Sequence, residues 1–254
     1  MLAVVDLTKR YSSIPAVSQV TFTVEPGKVL GYLGPNGSGK STTVKMLTGL
    51  LLPSQGQILY RGRDIQQQLI EYKSVLGYVP EDAQLYNYLT GREYLQLVGR
   101  LRGLPPGPLD RKIDDFLQLF SLYKSRHAAL SSYSKGMRQK ILISAALLHN
   151  PDILILDEPE SGLDVTSALV FRNLIRELAA KGKTILYSSH ILEVVEKVCS
   201  RIVILHKGRT MANDSVENLR MLMQLPSLED IFTQIVISED TEKLAKEIVE
   251  VMEN

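Results

Sequence analysis

The chain of 254 residues contains a single cysteine, Cys199, so an internal disulfide framework is impossible. A reducing compartment is therefore the expected environment. The chain also lacks an excess of charge of either sign, because 29 lysines and arginines are balanced by 28 aspartates and glutamates. This balance argues against a general nucleic-acid binder and against a polybasic protein of the membrane surface.

Long apolar runs, repeats of fixed period and low-complexity segments are absent as well. A helix that spans a bilayer needs about 20 consecutive apolar residues, and the longest run here is only a few. Residues 1–10 show no targeting pattern of charge followed by an apolar stretch. With 44% hydrophobic and 22% charged residues, the composition predicts a soluble, intracellular, folded protein. Its length allows one large domain or two closely packed lobes.

Strands alternate with helices over most of the chain, which predicts a mostly parallel sheet covered by helices. Apolar strands are predicted at residues 29–33, 152–156, 184–188 and 202–205, the last of these ending the core. Residues 20–24 alternate between apolar and polar, which is typical of a strand with one buried face. From about residue 82 to 149 helical spacing dominates, so we interpret this part as an inserted helical subdomain.

The first functional motif lies between a predicted strand and a predicted helix and fits G-x-x-x-x-G-K-[ST]. Its glycines let the backbone wrap so that N–H groups point at phosphate oxygens, and the following helix adds the positive end of its dipole. Lys40 is expected to reach the outer phosphates, and the Ser41 hydroxyl to hold Mg²⁺. The motif predicts a nucleoside-triphosphate site made by Gly34, Pro35, Asn36, Gly37, Ser38, Gly39, Lys40, Ser41 and Thr42.

An acidic pair, Asp157 and Glu158, follows an aliphatic strand that should be buried on both faces. Both carboxylates would emerge at the carboxyl edge of the sheet, where α/β proteins place ligands. Asp157 suits the coordination of Mg²⁺, and Glu158 could orient and polarise a water for in-line attack on a γ-phosphate. Alone, the pair could be a surface turn. Beside a phosphate-binding loop it favours hydrolysis of the nucleotide over mere binding.

A third motif, residues 132–139 with the sequence Ser-Tyr-Ser-Lys-Gly-Met-Arg-Gln, opens a helix of the inserted block. With the two motifs above, it makes residues 2 to about 237 resemble the ATP-binding subunit of an ABC transporter. The resemblance implies an α/β fold: a P-loop NTPase core with a mostly parallel sheet, an N-terminal antiparallel β subdomain and the helical subdomain inserted at about 82–149. The domain would cover residues 1–237. The tail, residues 238–254, has amphipathic spacing at Leu244, Ile248, Val251 and Met252 and is either a docked helix or a frayed one.

The resemblance also assigns residues around the nucleotide. Tyr11 matches the aromatic residue that stacks on adenine. His190 matches a switch histidine that contacts the γ-phosphate and holds the attacking water with Glu158. Glu158, His190 and Lys40 would form the catalytic set. The site would bind ATP together with Mg²⁺.

Partners are implied by the resemblance too. Ser134 and Gly136 would face the γ-phosphate of ATP on a second ATP-binding subunit, either the same chain or a paralogue, and Asp164 would help to align that interface. From the residues alone, Ser134 is better explained as the N-cap of its helix. The other implied partner is an integral membrane permease subunit, which would hold this cytoplasmic chain at the inner face of the cell membrane. No nucleic-acid partner is expected.

Three positions depart from the family pattern. Glu81 stands where glutamine is usual, and it could still contact Mg²⁺ or the water. Lys135 replaces a glycine of the signature, and Glu160 stands where threonine is common, for which the sequence offers no physical account. The signature, the Pro80-Glu81 loop and the closing segment 228–232 are similar to the branch that serves ABC-2 type exporters. Contact with the permease is predicted in the groove near Glu81, Tyr86 and Tyr88.

Other functions fit the sequence less well. Soluble ABC ATPases of translation usually carry two cassettes in one chain, whereas this chain has room for one. Those of DNA repair insert a long coiled coil between the two nucleotide motifs, whereas the spacing from Lys40 to Asp157 leaves room only for the helical subdomain. A small GTPase or kinase leaves residues 134–139 unexplained, and no Asn-Lys-x-Asp guanine motif is present. A non-hydrolysing cassette is opposed by Lys40, Asp157, Glu158 and His190. The remaining histidines, at positions 127, 149 and 206, are predicted to be solvated.

Overall fold

Two β-sheets frame the protein in a computed structural model that describes residues 1–82, 85–236, 249, 251 and 252. The strands are β1 (Leu2–Tyr11), β2 (Ile14–Val24), β3 (Val29–Leu33), β4 (Gln55–Tyr60), β5 (Arg63–Asp64), β6 (Leu76–Val79), β7 (Ile153–Asp157), β8 (Thr184–Ser188), β9 (Arg201–His206) and β10 (Arg209–Ser215). The helices are α1 (Lys40–Leu47), α2 (Leu69–Ser74), α3 (Gly91–Leu101), α4 (Pro106–Leu119), α5 (Lys135–Leu147), α6 (Val165–Ala180), α7 (Leu192–Val198), α8 (Val216–Met223) and α9 (Leu228–Val236).

The larger sheet has six strands in the order β10-β9-β3-β8-β7-β6 and is parallel except for β10. Every residue of β3, β7 and β8 is buried, because helices cover one face and α1 with the smaller sheet covers the other. In the β7–β8 pair, Leu156 lies opposite Tyr187 and Asp157 opposite Ser188. The carboxyl ends of β3, β7 and β8 therefore meet at one edge of the sheet, as predicted.

The smaller sheet is antiparallel, with the order β2-β1-β4-β5. Leu2, Val4 and Leu7 of β1 share one buried cluster with Val44 and Leu47 of α1. Helix α1 is thus packed between the two sheets, which fixes the loop that precedes it. The α/β class with an N-terminal antiparallel sheet is confirmed.

Helices α3, α4 and α5 follow one another between β6 and β7 and form the inserted helical block. Local signals set their ends. Thr90 and Glu93 form a reciprocal capping box at the start of α3, and Pro106 occupies the first turn of α4, where no N–H is needed. The helical spacing that was predicted for this part of the chain is matched by these helices.

Strand β10 extends the core beyond residues 202–205, where the sequence predicted that it ends. It pairs antiparallel with β9 at the edge of the sheet. Its residues alternate between exposed and half-buried and include Arg209, Asn213 and Asp214, so the apolar signal is weak. The sequence did not predict this strand, because an edge strand carries one polar face.

The predicted tail at residues 238–254 lies largely outside the described residues, which include neither Leu244 nor Ile248. Val251 and Met252 are exposed. The boundaries proposed for the domain and its helical insertion remain predictions. Among the described residues, no helix combines the length and the apolar character that crossing a membrane requires.

Candidate nucleotide-binding and hydrolysis site

A cavity opens at the sheet edge where β3, β6 and β7 end. The phosphate-loop motif, the acidic pair and the switch histidine share its walls, since it is lined by Ala16, Asn36, Gly37, Gly39, Lys40, Ser41, Thr42, Glu81, Asp157, Glu158 and His190. A second pocket adjoins it and is lined by Gly34, Pro35, Asn36, Glu81, Ser189, His190, Leu192 and Phe232. Residues that are far apart in the sequence are therefore brought together as predicted.

The loop before α1 has the geometry of an anion cradle. Gly39 has a φ of +104°, and a Cβ at this position would lie 2.5 Å from the Ala16 carbonyl oxygen, so no other residue fits there without strain. Helix α1 begins at Lys40 without a side-chain cap, which leaves its first N–H groups for a ligand. The Ser38 hydroxyl is buried and has no hydrogen-bond partner among the described residues. A bound phosphate would satisfy the free N–H groups of α1, whereas Ser38 itself lines neither pocket.

Lys40 is held over this loop. Its Nζ donates hydrogen bonds to the carbonyl oxygens of Gly34, at 2.6 Å, and Pro35, at 3.2 Å. Burial lowers the pKa of Lys40, whereas the nearby carboxylates of Glu158, Asp157 and Glu81 act in the opposite direction. The ammonium group therefore lies near these carboxylates in the cavity that Lys40 lines, placed to contact an anion.

Glu158 and His190 are in direct contact. Nδ1 of His190 lies 2.8 Å from Oε2 of Glu158, whose side chain is 12% exposed, against 72% for His190. Glu158 has a φ of +48°, in the left-handed region that side chains other than glycine seldom adopt and that is often found at functional sites. Its N–H donates to the carbonyl of Ser188. A hydrogen bond through Nδ1 leaves Nε2 of His190 for a second partner.

Asp157 is almost fully buried, and burial raises the pKa of its carboxyl. With Ser41 and Glu81 it gives the cavity three oxygen donors, the ligand type that Mg²⁺ takes. Among the described residues, no group of three or more His, Cys, Asp or Glu side chains could hold a metal ion by itself. Phosphate oxygens and water would complete the shell, as is usual for Mg²⁺ at nucleotide sites.

Tyr11 does not line either pocket. It is half exposed at the end of β1, paired with Ile14 in the hairpin to β2, and Lys9 Nζ lies 5.7 Å from the centre of its ring. The same hairpin carries Ala16, which contacts the phosphate loop. Tyr11 thus lies in the hairpin that borders the phosphate loop, and its stacking on adenine remains a prediction.

Ser134 and Gly136 lie away from both pockets. Ser134 is the N-cap of α5, and its Oγ accepts a hydrogen bond from the Met137 N–H at 3.2 Å. A Cβ on Gly136 would lie 2.4 Å from the Gly162 carbonyl oxygen, so the signature packs against the loop that contains Asp164. The N-cap interpretation is confirmed, yet it uses Ser134 only as an acceptor. The hydroxyl hydrogen stays available for an anion.

Several contacts around the acidic pair were not predicted. The carboxylate of Glu160 is paired with Arg172 and accepts a hydrogen bond from Tyr187. Gln139 is buried and donates from Nε2 to the Pro159 carbonyl at 2.8 Å, while Phe232 of α9 forms part of the second pocket. No local pattern indicates these contacts. Only the amphipathic closing segment could have suggested that α9 packs on the core.

The prediction that the remaining histidines are solvated holds for His127, which is exposed, and is wrong for the other two. His149 is half-buried, with Nε2 3.0 Å from the Leu76 carbonyl oxygen, and burial lowers its pKa to about 4. His206 is also half-buried, and its Nδ1 is enclosed. Both lie at the ends of core elements, where neighbouring strands cover them.

Known proteins resemble this chain in sequence and in structure. The protein family described as "ABC transporter" matches residues 17–161. The ABC transporter ATP-binding protein NatA of Bacillus subtilis (strain 168) is 38% identical over 237 residues, which are 91% of this chain and 96% of that protein. A solved ATP-binding subunit of an ABC transporter superposes with a TM-score of 0.87 at 34% identity, over 92% of this chain and 99% of the other. A dimeric, post-hydrolysis ATP-binding cassette bound to ADP and Pi shares the fold, with a TM-score of 0.79 at 23% identity over 85% of this chain and 99% of the other.

Proposed function

This chain belongs to the ABC transporter family of ATP-binding proteins and is an ATPase, and we propose that it powers an exporter of the ABC-2 type. ATP would close a dimer of two such subunits, and hydrolysis would reopen it. The observation that carries hydrolysis is the 2.8 Å contact between Glu158 and His190 beside the phosphate loop, and the exporter type rests on the resemblance of the signature and of segment 228–232. A chain that only bound nucleotide would have no need of a paired carboxylate and imidazole at this place.

The residues of the cavity divide the work of hydrolysis. The loop N–H groups and Lys40 bind the phosphates and neutralise their charge. Ser41, Asp157 and Glu81 would hold Mg²⁺, which supplies further neutralisation of phosphate charge when bound. Glu158 orients the attacking water and takes up its proton. His190 keeps the Glu158 carboxylate in place, and the imidazole also contacts the γ-phosphate.

The signature segment gives the dimer its chemistry. Ser134 is exposed, and Gly136 opens α5, so a hydroxyl and helix N–H groups face outward from the protomer. We place these donors against the γ-phosphate bound by a second subunit, identical or paralogous. Loss of the γ-phosphate then removes the charge that bridges the two subunits, and the dimer opens.

The dimer model predicts that Ser134→Asp weakens ATP-driven association. Asp and Asn are both good N-cap residues, so α5 is preserved in either variant. Only Asp adds a negative charge facing the triphosphate, and we expect it to weaken dimerisation at least tenfold, roughly the effect of 1.4 kcal/mol of repulsion. The measurement is the molar mass by light scattering with ATP and Mg²⁺, in the slowly hydrolysing Glu158→Gln background.

Ser134→Asn is the matched control and should dimerise as the Glu158→Gln parent does. Equal dimerisation of the Asp and Asn variants would show that the signature does not face a phosphate. Monomers in every sample, the parent included, would contradict a homodimer driven by ATP.

For the permease we propose an apolar groove between the core and the helical block. Ile70 of α2, Leu76 and Tyr78 of β6, and Leu101 of α3 line it, and the side chains of Ile70 and Leu101 are exposed. Apolar surface left exposed in this way is typical of a protein-binding site. The permease would hold this chain at the cytoplasmic face of the cell membrane.

The double substitution Tyr86→Ala/Tyr88→Ala tests whether the permease also contacts the predicted location near Glu81, since neither tyrosine lines the groove around Ile70 and Leu101. Both tyrosines are exposed, and their ring centres are 6.0 Å apart. We expect the variant to bind ATP normally but to lose at least tenfold of the integral membrane subunit that co-purifies from detergent-solubilised membranes, because exposed aromatic residues often dominate binding energy. Met221→Ala/Leu222→Ala removes two exposed apolar side chains of α8 and serves as the control. Unchanged co-purification and transport in the tyrosine variant would reject this location.

A further inference from the structure

The side chain of Glu160 is only 9% exposed, and its negative charge is paired with the guanidinium of Arg172. Arg172 donates to it from Nε, at 3.0 Å to Oε1 and 3.1 Å to Oε2, and from Nη2, at 2.7 Å to Oε2. The hydroxyl of Tyr187 donates to Oε1 at 2.7 Å. A forked ion pair with an additional donor holds a carboxylate in one position.

The three partners come from three elements that surround the catalytic turn. Glu160 lies two residues after Glu158, in the turn that follows β7. Arg172 lies on α6. Tyr187 belongs to β8 and lies three residues before His190. The ends of β7 and β8 are thus joined by two side-chain contacts. One is the contact of Glu158 with His190, and the other is the hydrogen bond between Glu160 and Tyr187.

The turn between these contacts has little freedom. Glu158 is in the left-handed region, and Pro159 has a φ restricted by its ring. The Pro159 carbonyl accepts the hydrogen bond from the buried Gln139. A shift of the Glu160 backbone is therefore passed on to Glu158, because the one residue between them has little freedom.

We propose that Glu160 is a positioning residue for ATP hydrolysis, which fixes the turn of Glu158 against the strand of His190 through its bonds to Arg172 and Tyr187. The inference rests on the proposed roles of Glu158 and His190. It also explains why an acidic residue replaces the threonine common in the family. A threonine hydroxyl at this position lacks the charge and the two oxygens that the Arg172 fork requires.

The test compares kcat, the KM for ATP and the thermal unfolding midpoint of the full chain and its variants. We expect Glu160→Gln to lower kcat by about tenfold, because small misplacements of catalytic groups have effects of this size or more. The KM should stay within about twofold, since the phosphate loop is untouched. Tyr187→Phe should lower kcat in the same sense by a few-fold. It keeps the ion pair, so it remains a folded test if Glu160→Gln does not fold.

Glu177→Gln is the matched control, because Glu177 is an exposed carboxylate on the same helix as Arg172. It should leave kcat, KM and the unfolding midpoint unchanged. A fall of kcat in this control equal to that in Glu160→Gln would overturn the proposal.

The double variant Glu160→Gln/Arg172→Met separates positioning from stability. Glu160→Gln alone leaves the Arg172 guanidinium unpaired, and Arg172→Met removes that charge. The unfolding midpoint should therefore return towards that of the wild type. If Glu160 positions the turn, kcat stays low in this variant. Recovery of kcat in parallel with the midpoint, or wild-type kcat in Glu160→Gln, would overturn the inference.

Glu158→Gln in the same assay distinguishes this inference from the proposed function. If that variant is inactive while the Glu160 and Tyr187 variants turn over like the wild type, only the role of Glu160 is lost. If Glu158→Gln retains wild-type turnover, the proposed catalytic roles of Glu158 and His190 fail first.

Discussion

Replacement of Glu158 by glutamine should lower the rate of ATP hydrolysis by about a hundredfold to ten-thousandfold, the range in which general bases contribute. Glutamine has the size of glutamate and can accept the hydrogen bond from His190, so the turn after β7 is retained. Its amide oxygen is too weak a base to take the proton of the attacking water. Phosphate release under saturating ATP measures kcat, and titration calorimetry measures the Kd for ATP.

ATP binding by Glu158→Gln should match or slightly exceed that of the wild type, because one negative charge near the phosphates is removed. Glu71→Gln, an exposed carboxylate of α2, is the control and should hydrolyse ATP normally. Wild-type kcat in Glu158→Gln, or a loss of ATP binding that parallels the loss of turnover, would contradict the role given to Glu158.

The meeting of the loop, the acidic pair and the switch histidine was predictable because each signal is local. An aliphatic run indicates a buried strand, and the residues that follow it emerge at the carboxyl edge of a parallel sheet. Three strands of this kind bring Lys40, Glu158 and His190 to one cavity, whatever their separation in the sequence. The position of these residues after parallel strands predicts that they lie near one another. It does not predict which of them touch, and the structure shows this in the 2.8 Å contact of Glu158 with His190.

The environment of Glu160 could not be predicted in the same way. Its partners, Arg172 and Tyr187, come from a helix and a strand that meet it only through tertiary packing. Nothing in the segment around Glu160 indicates whether its carboxylate faces solvent or an arginine. The same reason applies to His149, whose burial depends on the neighbouring strand β6 and its Leu76 carbonyl.

Ser134 shows how one residue can satisfy two interpretations. As the N-cap of α5 it accepts a hydrogen bond from Met137, which local sequence preference predicts. The family resemblance assigns it to a phosphate of a second subunit, where the hydroxyl would donate. Acceptance and donation use different parts of the hydroxyl, so the cap orients the group for the proposed contact.

Replacement of Lys40 by methionine should lower the affinity for ATP by about tenfold to a hundredfold and kcat by about a hundredfold to a thousandfold. Methionine keeps most of the length of the side chain and removes its charge. The triphosphate would then face the carboxylates of Glu158, Asp157 and Glu81 without the ammonium group that now lies among them. Calorimetric titration with ATP and phosphate release measure the two effects.

Lys45→Met is the matched control, because Lys45 lies on the same helix, α1, with its side chain exposed. It should bind and hydrolyse ATP as the wild type does, even though the net charge changes equally. Ionic strength adds a second criterion. The carboxylate–phosphate repulsion left uncompensated in Lys40→Met is screened by salt, so added salt should narrow the difference in affinity between this variant and the wild type. A constant difference at all salt concentrations would mean that Lys40 acts through the shape of the loop, through its hydrogen bonds to the Gly34 and Pro35 carbonyls, rather than through its charge.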